Sequence, residues 1–372
     1  MKVLAAFLLL FVYLKCQSQI VETAASHPTI VDGLHMDENG IVYTTPGGLM
    51  GGTGIGVYNS ETAAYTPNFA TGIYGGIDVD QFNDSMLAVT AYDNNSLYQV
   101  NKVSGEVSLL ATNFDGPSGI AVDNDNNIYV ANYGSPPSYN GNTIHKVMPN
   151  GDSWVYVESP LLYQPQAMEF NSEGELVIYS LNKLFKVSSE DSTLVEWVPI
   201  PNKLNNMVYR EMDNSFYATS IQAHLVHKIT DEGEVSIFAG SSMGYVDGST
   251  NEALFSRPLG IAIHPNGNEF YISESGTGRL RHILLNEFLF TEKNDRIDLK
   301  VYPNPAENLI KIDCSVVIDK WRIFDGSGKL ILNDTSNSNS FEIPIGSLTP
   351  GHHYIEFHTE NDFTRMSFMK IE

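Results

Sequence analysis

The chain has 372 residues, 42% of them hydrophobic and 11% aromatic, with 30 Gly and 17 Pro, a mixture that fits many short strands joined by turns and excludes an intrinsically disordered protein. Its 21 Lys and Arg against 44 Asp and Glu leave a formal charge of −23, whose field repels phosphate backbones and anionic headgroups. No basic cluster overrides that field, so nucleic acid is not an expected partner.

Residues 1–19, MKVLAAFLLLFVYLKCQSQ, read as a secretory signal peptide: a basic start at Lys2, an apolar run over 3–14, then polar residues before Ile20. That run is too short to span a bilayer, and no later stretch reaches the roughly 20 residues a spanning helix needs, so no transmembrane segment is expected. Cys16 raises the rival reading of lipoprotein processing, against which Lys15 stands where a small residue is wanted. Cleavage near Gln19 leaves Cys314 alone and no intrachain disulfide.

Six segments then recur: DGLHMD (32–37), GGIDVD (75–80), SGIAVD (118–123), QAMEFN (166–171), NNMVYR (205–210) and LGIAIH (259–264). Their second positions, Gly33, Gly76, Gly119, Ala167, Asn206 and Gly260, lie 43, 43, 48, 39 and 54 residues apart. Each is followed by a polar turn and further runs rich in β-branched and aromatic residues, such as IYVANY (128–133), IHKVMP (144–149) and WVYVES (154–159). Four antiparallel strands per repeat predict an all-β, six-bladed β-propeller over residues 20–290. Val107 precedes Gly119 by twelve residues, and Val21 precedes Gly33 by the same distance. Residues 21–27 are therefore expected to supply the missing fourth strand of the sixth blade, closing the ring and removing its open edges.

A polar linker, TEKNDR (291–296), separates this from residues 297–372, which lose the blade period. VYPNPAENLIKI (301–312), WRIFDGSGKLIL (321–332), EIPIGSLTPGHHYIEF (342–357) and RMSFMKIE (365–372) predict a small Ig-like β-sandwich.

Two resemblances rest on these residues. The stretch 235–283, with its Asp247-Gly248 loop, RPLGIAI start and closing Arg281, is similar to NHL repeats, as is PSGIAVDNDNNIYVANY (117–133). Blades four and five depart from that pattern, with Ala167 and Asn206 in place of glycine. The C-terminal segment resembles the type A sorting domain of type IX secretion in Bacteroidetes, on Tyr302, Pro303, Asn304, Pro305, Gly328, Lys329, Gly351 and Lys370. That resemblance implies the type IX machinery as a partner and a route through the periplasm to the cell surface or the medium.

In a propeller the starts of the inner strands surround one mouth of the central channel, where ligands gather. The residues before the six register positions are Asp32, Gly75, Ser118, Gln166, Asn205 and Leu259. A resemblance to gluconolactonase-like propellers implies a divalent cation at this mouth. Asp32, Ser118, Gln166 and Asn205 are the matching positions, with one carboxylate among them, so only weak Ca2+ binding is expected and no cofactor is assigned. His224 is the histidine nearest the mouth that could serve a lyase. Second-strand ends place Tyr92, Asp93, Asn132, Tyr133 and Glu274 on the same face, and GSPPSYNGN (134–142) has the composition of an adaptable contact loop. DNDNN (123–127) starts like a calcium loop but lacks its glycine and distant Glu, so a plain turn is expected. The sequence thus favours a binding or scaffold module for an extracellular protein, peptide or glycan. A metal-dependent lactonase-like hydrolase or a lyase is the alternative.

Overall fold

The structure, a computed structural model, describes residues 19–47, 53–188, 192–285, 299–324, 330–359 and 363–371. The signal segment 1–18, Cys16, the linker 291–296 and the motif residues Gly328 and Lys329 lie outside them. The chain divides into two compact units, residues 1–286 and 287–372.

The first unit is a ring of six antiparallel sheets. Blade two shows the pattern, running from an inner strand, Gly76–Asn83, through Met86–Ala91 and Ser96–Asn101 to an outer strand, Val107–Thr112. The inner strands touch one another around the channel, and the last of them, Pro258–Ile263, meets the first, Leu34–Met36. Second strands lie between neighbouring blades and are apolar on both faces, so Ile128–Asn132 is buried throughout. Outer strands such as Val107–Thr112 alternate toward solvent.

Blade six closes the ring. Its outer strand is Gln19–Ser26, which pairs with Arg279–Leu285 from Gln19 opposite Leu285 to Ser26 opposite Arg279. Val21 is fully buried there beside Phe270 and Ile283. Arg281 stitches the junction from within. It donates to the carbonyls of Leu254 and Val246 and pairs with Glu274 at 3.1 Å and Asp247 at 2.7 Å. Asp247 in turn accepts the Thr23 hydroxyl of the closing strand.

Blades are also fastened to one another by hydroxyls near the ends of second strands. Thr45 donates to Ile77 O at 2.7 Å, Thr90 to Ser118 O at 2.7 Å, Ser273 to Asp32 O at 2.6 Å, and Thr219 to Leu259 O. Each bond joins one blade to the inner-strand start of the next. Blade three carries Ala131 at this place, and there Ser118 itself reaches on to Pro165 O at 3.1 Å.

The second unit is a five-stranded antiparallel sheet folded over its own core. The first half of Leu309–Phe324 pairs with Leu299–Tyr302 and its second half with Gly351–His358, while along its other edge it pairs with Leu330–Pro344, the register there shifting between Asp313 and Ile318. Ile310, Ile312, Ile323, Ile355, Phe357 and Phe368 fill the interior. The YPNP segment has a structural task. Asn304 Oδ1 accepts the Met369 amide at 2.9 Å, and Ala306 exchanges backbone bonds with Met369 and Ile371, so the motif is tied to the terminal strand Phe363–Lys370. Tyr302 donates its hydroxyl to Asp313, and Lys370 is buried against the carbonyl of Ile371.

Candidate functional site: the two ends of the propeller channel

The hydroxyl fasteners fix which residues form the upper ring, and they correct one expectation. The carbonyls they reach belong to Asp32, Ile77, Ser118 and Leu259, so the ring residue of blade two is Ile77 rather than Gly75. Strand pairing agrees, because Val79 opposes Val89 as Ile120 opposes Val130. The adjacent Gly75 and Gly76 imitate the register glycine two residues early, and Asp78 occupies that glycine's place.

The consequence is a crossbar. At the level of Gly33, Gly119, Ala167 and Gly260, two blades on opposite sides of a six-membered ring carry polar side chains, Asp78 and Asn206. Asn206 Nδ2 donates to Asp78 Oδ1 at 2.8 Å, and the amides of Val79 and Ile120 donate to the same carboxyl at 3.0 and 3.2 Å. Glycine is required around it: a Cβ on Gly33 would lie 2.4 Å from Asp78 Oδ1, and one on Gly119 only 1.7 Å from Gln166 O. Burial, reinforced by Asp32 and Asp80, pushes the Asp78 carboxyl up to about 8, so it holds its proton near neutral pH.

Below the crossbar is a cavity of about 490 Å³ lined by His35, Asp78, Asp80, Glu169 and Asn206, with apolar walls from Ile120, Met207 and Ile261. Burial, with Asp80 and Asp78 nearby, raises the Glu169 carboxyl well above its ordinary value. His35 Nδ1 meets Asp80 Oδ1 at 2.9 Å, while its Nε2 is buried with no hydrogen-bond partner. Sequence reasoning missed these carboxylates because it inspected only strand starts. The period-two alternation of GGIDVD and QAMEFN carries the signal, since residues beyond the start also face the channel.

Most residues expected at the upper mouth are engaged in holding loops. Ser118 bonds to Ala131 O and Pro165 O, and Asn205 Oδ1 accepts the Ile221 amide at 3.0 Å. Asn132 accepts the Asp115 amide and donates to the Thr143 hydroxyl. Glu274, fully buried, accepts from Ser256, Thr277 and Arg281. His224 Nδ1 accepts the Arg257 amide at 3.1 Å, and Asp93 packs on Gly75. Asp32 remains partly exposed, with burial pushing its carboxyl up to about 7, and Gln166 Oε1 is buried without a partner.

This set does not fit a hard cation, because the oxygens of Ser118 and Asn205 already face backbone groups. Among the described residues no three His, Cys, Asp or Glu side chains converge to hold a metal ion. In the DNDNN turn, Asp123 accepts from the Asn127 and Asp125 amides and from Tyr129, with Lys146 at 3.3 Å, which makes it the anchor of a turn.

What gathers on the upper face is tyrosine. Tyr133 and Tyr139 meet edge to face with ring centres 6.5 Å apart, and Tyr163 lies near enough to raise the Tyr133 hydroxyl further after burial. Tyr92 donates to Gly134 O at 2.9 Å, and burial with Tyr139 and Tyr133 beside it pushes its hydroxyl up to about 12. Tyr139 and Tyr163 are 40% and 42% exposed, so their rings are open to a ligand. Lys203 of blade five stands 5.2 Å from the centre of the Tyr133 ring. Tyr92 and Tyr133 were named from sequence; Tyr163 and Lys203 were not, because only ring closure brings those loops together.

Comparison with known proteins agrees with this architecture. Residues 300–370 match the family described as Secretion system C-terminal sorting domain, and residues 114–135 match the NHL repeat. No curated protein matches the chain. Solved structures do. An auxiliary nutrient binding protein from Bacteroides ovatus is 20% identical, with a TM-score of 0.59 over 73% of this chain and 78% of its own. A gluconolactonase from Xanthomonas campestris is 12% identical, with a TM-score of 0.56 over 72% and 90%. A calcium-binding regucalcin from Agrobacterium tumefaciens is 10% identical, with a TM-score of 0.57 over 72% and 94%. At these identities the likeness shows the propeller fold alone. The chain is thus a β-propeller that carries an NHL repeat, followed by a type IX C-terminal sorting domain and exported to the cell surface or the medium.

Proposed function

We propose that the exported propeller is a binding module that holds an extracellular glycan, peptide or protein on the tyrosine cluster of its upper face. The observation that carries this reading is the convergence of Tyr92, Tyr133, Tyr139 and Tyr163 from three blades around exposed rings. Tyrosine supplies contact area with little rotamer entropy to lose and a hydroxyl for polar pairing. The Bacteroides ovatus neighbour, an auxiliary nutrient binding protein, accords with it. Screening the mature protein against glycan and peptide libraries, then repeating the hits with Tyr133→Ala and Tyr139→Ala, tests it. Each variant is expected to weaken the hit about tenfold or more while leaving the fold intact. Hits indifferent to both variants would place the ligand elsewhere.

One observation favours a second reading, an enzyme. Burial pushes the Asp78 carboxyl up to about 8 and raises the Glu169 carboxyl inside the cavity that also contains the His35–Asp80 pair, the kind of perturbed neighbours a general acid and base need. A hydrolase or lyase working there would lose activity on Glu169→Gln and keep it on Tyr139→Ala, the reverse of the binding reading.

A further inference from the structure

Lys203 stands out in a chain of formal charge −23, because among the described residues no carboxylate lies within ion-pair distance of its ammonium. Its ammonium stands over the face of Tyr133. It is half-buried, and that burial lowers its pKa, so holding the charge there has a cost that no carboxylate among the described residues offsets. The other propeller lysines with described pairs lie on carboxylates: Lys102 on Asp37, Lys146 on Asp123, Lys183 on Glu196, Lys186 on Glu175 and Lys228 on Asp213. Around Lys203 are tyrosine rings presented by separate loops: Tyr133 beneath its ammonium, with Tyr139 and Tyr163 beside Tyr133.

Resting on the binding reading above, we infer that this surface takes an acidic carbohydrate, its carboxylate pairing with Lys203 and its sugar faces lying on Tyr139 and Tyr163. A sugar matches both features at once. Its C–H faces pack on exposed aromatic rings, and its carboxylate supplies the anion that the half-buried ammonium lacks. The long-range field of the protein disfavours a long polyanion, so a short segment or a chain end fits better than a densely charged polymer.

Isothermal titration of the mature full-length protein with trigalacturonate and with its fully methyl-esterified form tests this, in the wild type, Lys203→Met and Tyr133→Ala. The wild type is expected to bind the acid about tenfold or more tightly than the ester, as one charge-assisted pair supplies. Lys203→Met should erase that preference, Lys203→Arg should restore it, and Tyr133→Ala should weaken both ligands. Equal affinity for acid and ester, or a preference that survives Lys203→Met, would overturn the inference yet leave the tyrosine platform standing. If neither sugar binds and a peptide binds only with a free C-terminal carboxylate, the carbohydrate assignment fails. Ligands of every class indifferent to Tyr133→Ala would instead remove the platform itself.

Discussion

The two ends of the propeller channel are built from the same repeat and do opposite things with polar side chains. At the upper ring, Ser118, Asn132, Asn205 and Glu274 are all turned onto backbone or paired groups, and blade-to-blade hydroxyl bonds lock the strand starts together. In the lumen below the crossbar, Asp78, Asp80 and Glu169 crowd together, and burial pushes the Asp78 carboxyl up to about 8 and raises that of Glu169 well above its ordinary value. The difference teaches that a ring of polar residues read from strand starts marks the fastening of the fold. The groups that line the cavity, His35, Asp80 and Glu169, lie three residues further along the inner strands.

The largest test of that contrast is Gly119→Ala. Its Cβ would stand 1.7 Å from a backbone oxygen of the next blade, which no rotamer change relieves. A loss of about 4 kcal/mol or more, read by chemical denaturation, is expected. Ala167 occupies the same register position in blade four and is buried there without such a conflict, so Ala167→Gly should cost no more than about 1 kcal/mol. Similar losses at the two sites would dissolve the picture of a ring closed by backbone contact.

Next in size is the pH response of the crossbar. The folded state holds the Asp78 proton up to about 8, whereas the unfolded chain releases it near its ordinary value. The stabilisation is therefore full below the unfolded pKa and is lost as pH climbs through the folded one. Between pH 5 and 8.5 the wild type should lose on the order of 3–4 kcal/mol from this group, with Asp32 and Glu169 acting in the same direction. Asp78→Asn should flatten that dependence, although its amide would lose the bond from the Ile120 amide. A variant as pH-sensitive as the wild type would show that the proton sits elsewhere.

How far the sequence reached follows from the same contrast. The blades were legible because each packs the same four strands, and even Gln19–Ser26 announced itself through the distance from Val21 to Gly33. The sorting domain was legible because YPNP and the terminal strand bond directly to each other. Blade two was misaligned because a repeated glycine pair outweighed the strand pairing that only three dimensions reveal. Tyr163 and Lys203 were invisible, since each comes to Tyr133 only when neighbouring blades pack side by side.

Smaller effects sharpen the comparison further. Thr90 donates to Ser118 O and accepts the Asp78 amide at 3.0 Å, so Thr90→Val should cost about 1–2 kcal/mol by leaving buried partners unsatisfied. Blade three already dispenses with its hydroxyl at Ala131, and Ala131→Ser should gain little, because Ser118 makes the link to Pro165. A larger gain there would mean that the fasteners add independently.

The smallest predicted effect concerns the turn at 123–127. Asp123 is fixed by four donors beyond Lys146, whereas Asp125 contributes only its backbone amide and points its side chain to solvent. Asp125→Ala should therefore shift stability by less than about 0.5 kcal/mol, while Asp123→Ala should cost about 2 kcal/mol through its stranded tyrosine and amides. A calcium loop would behave otherwise, since Asp125 would then be a ligand and added Ca2+ would stabilise the wild type in proportion to its affinity. Measuring both variants with and without millimolar Ca2+ separates the cases: equal Ca2+ responses assign the acidic run to turn geometry, and a response lost with Asp125 would return it to metal binding.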